Sequence, residues 1–388
     1  MKIVFFCSSL APGRDGVGDY ARQLAAACGI AGHACLLVAL HDRHLTSTPE
    51  IAQRGNEVRL SASLTWTRRA TLLANLLREF DPHWISWQMV PYGFHPKGIL
   101  PKGCLALAEV TRPWSNHIML HELWLGLARS DRLQARVVGA LQRNKLLSFL
   151  RRLRPASLHT TNEAYQLALA RQGWPAELLP LFGNIPTVST TRDEAQATLA
   201  ALAGGALPSG ACCFGVIFGT VHPQWKAETT LAWLTAAAAV DGRRMCLVAI
   251  GRPGAHGTKL FEQLARHPDG PAVISLGAQE PEIISRLLQA VHFGIATHPW
   301  ALIDKSGTAV ALLEHGLPVL VPRDDWVSRD GSLSGARDPL LCRMQDLPAG
   351  QFPQWLAGRR APAERLPDLA ATFLAQLSGP AIRGALVA

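Results

Sequence analysis

Strand-like apolar runs alternate with helical patterns along nearly the whole sequence, and this alternation constrains the fold more than any other feature. The unit is set by the opening of the chain: an apolar run from Lys2 to Cys7, a loop with Gly13, Gly16 and Gly18, a helical pattern from about Asp19 to Ala31, and a second apolar run from Ala34 to Leu40. That is one βαβ unit. Further strand-like runs follow at His83 to Gln88, His117 to Leu120 and Ser157 to Thr160, separated by helical patterns around residues 65 to 80, 131 to 153 and 162 to 172. Alternation of this kind specifies a parallel sheet covered by helices on both faces.

After Leu178 to Pro180 the segment LFGNIPTVSTTRDE carries Gly183, Asn184 and Pro186 and loses the helical register, which marks a linker. A second series then begins: strands at Cys212 to Phe218, Cys246 to Ile250, Ala272 to Leu276, His292 to Thr297 and Val319 to Val321, with helices after Lys226, around Lys259 to Arg266 and around Pro281 to Gln289. The 388 residues exceed the size at which one core stops growing, so two domains of roughly 190 residues are expected. The reading is α/β, with two Rossmann-like doubly wound domains facing across a cleft. They cover residues 1–185 and 186–388, and a helix over Pro362 to Leu377 closes the second. Open sheets of this type bind ligands beyond the carboxyl ends of their strands.

Hydrophobic residues make up 48% and charged residues 17%, with scattered Gly and Pro, which argues against disorder, collagen-like sequence or a solenoid. Eight cysteines occur without a CxxC spacing, as expected of buried free thiols in a reducing cytoplasm. The opening MKIVFFCSSLAPG reads as a first strand rather than a signal peptide, and nowhere do about 18 uninterrupted apolar residues occur. The formal charge of +9 is uneven: seven basic residues and no acid lie between Arg132 and Pro155, in a helical pattern. Two readings stand, a solvated helix face and a docking face for an anionic partner. The second would give residues 132–155 peripheral contact with an anionic membrane at its inner, cytoplasmic face. Nucleic acid is not an expected partner, because no motif of that kind occurs and no aromatics interleave with the basic run.

The glycines of the first loop are spaced Gly13-x-x-Gly16-x-Gly18, not G-x-G-x-x-G, so a nicotinamide site is not indicated. Small residues at a strand-to-helix turn let backbone N–H groups approach a phosphate or sugar, and the alternative is merely a tight turn.

The run GVGDYARQLAAACGIAGHACLLVAL resembles the opening of glycosyltransferase family 4 proteins, and later pieces agree in order: MLHELW, LFGNIP, FGTVHPQWKAETTLAWL, CLVAIGRPG, VISLGAQEPEIISRLLQAVHFGIA and KSGTAVALLEHGLPVLVP. The resemblance spans nearly the whole chain. It implies a GT-B fold, a nucleoside diphosphate sugar as donor, retention of anomeric configuration, and an acceptor that is a glycan, a lipid-linked molecule or a small molecule. No cofactor or metal is expected; an Asp-x-Asp motif is lacking, and Asp324-Asp325 reads as a surface turn.

By the same resemblance, His121 at a strand end contacts the donor sugar, with a core or capping histidine as the alternative. Glu122 either orients the acceptor or His121, or is a strand-end carboxylate. Gly16 and Gly18 approach the donor, as do Gly219 and Thr220 in the second domain. Lys226 neutralises the departing diphosphate. The family's arginine about five residues before that lysine is missing, since Thr220 and Val221 stand there, and Arg252 or Lys305 are candidates to replace it. Lys305, Ser306, Gly307 and Thr308 open a helix whose amides and hydroxyls suit a diphosphate; an N-cap without a ligand is the alternative. The family's Glu-x7-Glu pattern can be laid on this helix in two ways. Aligning Gly316-Leu317-Pro318 with the family's Gly-x-Pro puts Ala311 at the second glutamate and leaves Glu314 to reach a ribose hydroxyl from one turn further along. Two rival functions share the expected architecture, a sugar-nucleotide epimerase and a noncatalytic nucleotide-sugar-binding relative.

Overall fold

The computed structural model describes residues 1–45, 50–268, 270–334 and 337–378. Its contacts divide the chain into two compact units, the first built from Met1–Pro180, Ser328–Leu333 and the segment from Leu366, the second from Leu181–Val327 and Ser334–Arg365.

In the first unit the chain runs β1 (Lys2–Cys7), α1 (Gly16–Ile30), β2 (Ala34–Asp42), β3 (Ile51–Arg54), β4 (Glu57–Ser61), α2 (Trp66–Phe80), β5 (Trp84–Met89), α3 (Pro91–Phe94), α4 (Lys102–Thr111), β6 (Ser115–Leu120), α5 (Leu133–Leu153), β7 (Ser157–Thr160), α6 (Glu163–Ala170) and β8 (Glu177–Leu178). The sheet order is β3-β4-β2-β1-β5-β6-β7-β8. Its neighbours are parallel except β3 and β4, an antiparallel hairpin turning at Gly55, whose φ is 58°. Side chains alternate between faces along each strand. Phe6 therefore meets Trp87 edge-on at 4.9 Å, and Trp87 in turn meets Phe149 of α5 at 5.2 Å. Phe5 points the other way.

The second unit continues with α7 (Arg192–Ala203), β9 (Cys212–Phe218), α8 (Ala227–Asp241), β10 (Arg244–Ile250), α9 (Gly254–Arg266), β11 (Ala272–Gly277), α10 (Pro281–Ala290), β12 (Phe293–Ile295), α11 (Gly307–Glu314), β13 (Val319–Val321), β14 (Leu341–Arg343) and α12 (Phe352–Leu356). Its sheet, β11-β10-β9-β12-β13-β14, is parallel throughout. Two apolar cores form, one on each face: Val216, Val248 and Val319 pack with residues of α7, α10 and α11, while Ile217, Leu247 and Phe293 pack with residues of α8, α9 and α12. Helix α7 starts at a capping box in which Thr191 and Glu194 each bond the other's backbone amide.

The last helix, α13 (Leu366–Ser378), corrects the expected domain assignment, because it packs on the first unit. Phe373 lies 5.8 Å from Phe5 and 5.1 Å from His117, ring centre to ring centre. An amphipathic helix carries no mark of which sheet it covers, so periodicity assigned it to its nearest neighbour in sequence. Residues 328–333 also join the first unit: Ser328 bridges Ala128 and accepts from Arg129 Nε at 3.1 Å, and Asp330 pairs with Arg171 at 3.2 Å.

Candidate functional site

Each sheet presents a helix N-terminus beyond a strand end, and the two are filled differently. In the first unit Asp15 caps α1, its Oδ1 accepting from the amides of Val17 at 3.0 Å and Gly18 at 3.1 Å, while Oδ2 accepts from Ser8 Oγ at 3.0 Å. A carboxylate thus already occupies the place expected for a phosphate. Gly18 is required by packing: a Cβ there would lie 2.2 Å from the carbonyl oxygen of Ser9. A Cβ on Gly16 would meet nothing within 4 Å. A phosphate at this turn would meet the Asp15 carboxylate on the Val17 and Gly18 amides, which counts against the donor-binding role expected of Gly16 and Gly18.

His121 follows β6 directly and is 7% exposed. Its backbone N–H donates to Met89 O, its ring meets Tyr20 edge-on at 4.9 Å, and Nε2 bonds Gln88 Oε1 at 2.9 Å. Burial drives its pKa down to about 3, so the ring is neutral at physiological pH. Glu122, the next residue, is half-buried.

In the second unit the turn after β9 and the start of α11 come together. Gly219 has φ 78°, its N–H donates to Ile250 O at 2.8 Å, and a Cβ on it would lie 2.9 Å from the methyl group of Thr308. Ser306 caps α11 through its hydroxyl, which accepts from Ala309 N at 3.3 Å and bonds Thr308 Oγ1 at 2.9 Å. Thr220 is exposed and donates to the carbonyl of Arg252 at 3.4 Å. The structure thus gathers Gly219, Ser306, Gly307 and Thr308 around one helix end, with Thr220 and the Arg252 backbone on the adjoining turns. Lys226 stands at the N-cap position of α8 without a side-chain capping bond and is exposed; among the described residues no hydrogen bond or ion pair joins it to this group.

The sequence reading missed Arg323, His222 and His298. Arg323 lies just beyond β13, is 5% exposed, and donates through Nη1 to His222 Nδ1 at 2.6 Å, through Nη2 to Gln224 Oε1 at 3.0 Å, and through Nε and Nη2 to the Asp325 carboxylate. A guanidinium only donates. His222 Nδ1 is therefore the unprotonated nitrogen, and its Nε2 carries the hydrogen. His222 and His298 meet edge-on at 5.5 Å, and His298 Nδ1 bonds Ser306 Oγ at 3.3 Å. Burial first, then neighbouring charge that includes Arg323 and Lys305, holds both imidazoles near pKa 4. Lys305, itself half-buried, thus belongs to the same group. The signal available in sequence was HPQWK after one strand and PRDD after another, each just past a strand end.

Glu314 is a second correction. It is 2% exposed, its Oε2 accepts from Gly183 N at 2.9 Å and its Oε1 from Arg365 N at 3.0 Å. Burial pushes its pKa up against the pull of those two amides. The carboxylate ties the LFGNIP segment and the residues before α13 to α11, which leaves no accessible oxygen for a ribose. Asp324 and Asp325, read as a surface turn, are engaged by Arg343 at 3.1 Å and by Arg323 at 2.7 Å respectively.

Two parallel-sheet, Rossmann-like units in tandem are the architecture of the GT-B fold, which this chain adopts. Among solved structures it is similar to sucrose-phosphate synthase from Thermosynechococcus elongatus, with a TM-score of 0.56 at 14% identity over 97% of this chain and 94% of that one. It is also similar to HepE from Anabaena in complex with UDP and glucose, with a TM-score of 0.57 at 15% identity over 97% and 99%. HepE has also been crystallised with UDP-glucose. No family model and no curated protein sequence matches the chain.

Proposed function

We propose that the chain is a glycosyltransferase of the family 4 type that moves a hexosyl-type group from a nucleoside diphosphate sugar to an acceptor with retention. The observation that carries this reading is the α11 N-terminus, capped by a neutral hydroxyl and accompanied by Arg323 and Lys305. Orphan amides and a helix dipole attract an anion, and Lys305 beside them, with Arg323 held by Asp325 behind His222, adds positive charge that favours a diphosphate. Arg323 is the candidate substitute for the missing arginine; among the described residues the bond from Arg252 to this group runs through its carbonyl. As the diphosphate leaves, charge grows on its oxygens, and fixed donors placed there lower the barrier. In this mechanism the departing phosphate takes the proton of the attacking hydroxyl on the same face, so no carboxylate nucleophile is needed. His121 is the candidate for a sugar hydroxyl and Glu122 for the acceptor.

The membrane reading gains a specific observation. The solvent face of α5 exposes Leu133, Val137 and Leu141, 72%, 56% and 52% exposed and four residues apart, followed by Lys145, Arg151 and Arg152. An apolar stripe continued by cations fits an anionic lipid surface that carries or presents the acceptor. Among the described residues no helix is long and apolar enough to cross a membrane. Salt-sensitive co-sedimentation with anionic vesicles, lost when the three apolar residues become serine, is expected; equal partition onto neutral vesicles would remove this part.

The function is tested by a thermal-shift screen of nucleotide sugars and nucleoside diphosphates, in which a ligand at a hundred times its Kd stabilises by about 2.7 kcal/mol. A panel that leaves the melting temperature unmoved would refute nucleotide-sugar binding. With a bound donor identified, glycosylated product supports transfer, whereas an epimerised donor formed without acceptor would assign the epimerase reaction instead.

A further inference from the structure

The buried face of the first sheet that α13 covers carries a row of polar side chains in an otherwise apolar layer. Ser86 and Gln88 lie on β5, His117 on β6 with His121 just beyond it, His159 on β7 and Glu177 on β8. Ser86, Gln88, His117 and His159 are each at most 2% exposed. They form one connected path. His121 Nε2 bonds Gln88 Oε1 at 2.9 Å, Gln88 Nε2 donates to Ser86 Oγ at 2.7 Å, Ser86 Oγ bonds His117 Nδ1 at 2.8 Å, and His117 Nε2 bonds His159 Nδ1 at 3.0 Å. The path ends at His159 Nε2, 3.6 Å from Glu177 Oε2, a distance that marks an electrostatic contact rather than a hydrogen bond.

Each link has a direction, and the far end sets it. Glu177 only accepts when ionised; Gln376, whose Nε2 donates to that same carboxylate, has a buried Oε1 without a partner, and His159, whose Nε2 is likewise buried and unpartnered, has both side chains as neighbours. Both neighbours call for a hydrogen on His159 Nε2. Burial holds all three imidazoles in the neutral form, so each has a single N–H. His159 Nδ1 then accepts, which places the hydrogen of His117 on Nε2 and makes His117 Nδ1 accept from the Ser86 hydroxyl. Gln88 gives its amide hydrogen to Ser86 and turns its carbonyl to His121. Every donor therefore points from His121 toward Glu177, and a single reversed link would set two donors or two acceptors face to face.

We infer that Gln88, Ser86 and His117 are positioning residues that hold the hydrogen of His121 on Nε2, so that its Nδ1 meets a ligand hydroxyl as an acceptor. Nδ1 has no hydrogen-bond partner among the described residues, and it is not among the fully buried polar atoms. A fixed acceptor at a strand end selects a hydroxyl that donates and rejects a carbonyl or ether oxygen at the same place. That the hydroxyl belongs to a sugar rests on the function proposed above; the state of the ring does not.

Nitrogen-15 NMR of the imidazoles in the full chain tests this, with His121 assigned by difference against His121→Asn. The wild-type ring is expected to be protonated on Nε2 alone. Ser86→Ala should let Gln88 turn and populate both tautomers, while Ser86→Thr, which keeps the hydroxyl, should restore one. A wild-type ring protonated on Nδ1, or a Ser86→Ala ring as fixed as the wild type, would overturn the inference. Neither measurement needs a substrate, so a chain that binds no nucleotide sugar yet shows this tautomer loses the proposed function and keeps the relay. Adding the nucleotide sugar with the largest thermal shift should move the Nδ1 resonance; a shift confined to Nε2 would overturn the acceptor role.

Discussion

The two strand-end helices, α1 in the first unit and α11 in the second, start from the same local device and finish it with opposite charge. Asp15 places a carboxylate on the first amides of α1, and Ser306 places a neutral hydroxyl on those of α11. Around α1 the Arg22 guanidinium pairs with Asp19 and Glu57 at 3.2 and 2.6 Å. Around α11 Lys305 stands beside the cap, and Arg323, itself paired with Asp325 at 2.7 Å, reaches the group through His222. A helix N-terminus carries about half a positive charge, and that charge is either answered within the chain or offered to a ligand. A glycine-rich turn alone does not say which.

Exchanging the caps is the most direct way to break this comparison. Ser306→Asp keeps a good N-cap but sets a charge against the expected diphosphate, an effect on the scale of about 4 kcal/mol for unit charges some ~4 Å apart at an effective dielectric near ~20. Calorimetry should show nucleoside diphosphate affinity nearly abolished; an unchanged affinity would place the diphosphate elsewhere. Next in size is Lys226→Ala, expected to lower turnover by roughly 2 to 4 kcal/mol of transition-state stabilisation while donor affinity falls less. Full turnover in the folded variant would leave Arg323 and Lys305 as the cations of the mechanism. Glu314→Gln sharpens the contrast between holding the fold and holding a ligand. Its amide nitrogen must face a backbone N–H, so chemical denaturation should register a loss of about 1 to 3 kcal/mol, with nucleotide affinity in the remaining folded protein unmoved.

Acid should act on both units in the same sense. His121, held near pKa 3, and His222 and His298, held near 4, are neutral when folded, whereas an unfolded histidine binds its proton near its ordinary value of about 6.5. Between those limits the unfolded chain carries more protons, so stability is complete above about pH 6.5 and is lost as pH falls toward the folded values. Each such histidine contributes a slope of up to about 1.4 kcal/mol per pH unit. Denaturation midpoints that stay level from pH 6.5 to 4.5 would contradict the buried neutral state. The smallest effect is reserved for Asp15→Asn, which keeps the cap of α1 and removes its charge: nucleotide affinity should move by less than about 0.5 kcal/mol. A large gain there would mean that α1 competes for the phosphate.

Much of this architecture was legible beforehand. Apolar runs at Lys2 to Cys7, Cys212 to Phe218 and Val319 to Val321 coincide with β1, β9 and β13, because a doubly covered strand must be apolar on both faces. The hairpin of β3 and β4 was passed over, although Gly55-Asn56 between two short runs is a turn signal. The turn of Lys305 to Thr308 was recognised through its N-cap, which is a local property. Arg323 was not: it is far in sequence from His222 and Gln224, and only the parallel pairing of β9, β12 and β13 brings the three strand ends together. The polar row hid in the same way, as single histidines and serines inside runs that read as ordinary strands.

By itself, then, the sequence determined that two helix-covered parallel sheets form, roughly where each strand and helix lies, and which strand-to-helix turns carry small residues. These follow from periodicity, capping and glycine placement, which act over a few residues. Only the tertiary structure decided which sheet α13 covers, that a carboxylate caps one helix end and a neutral hydroxyl the other, that Glu314 is spent on Gly183 and Arg365, and that a row of hydrogen bonds crosses three strands to His121. Each depends on groups distant in sequence meeting at hydrogen-bond distance, and strand order, which no local pattern encodes, sets those meetings.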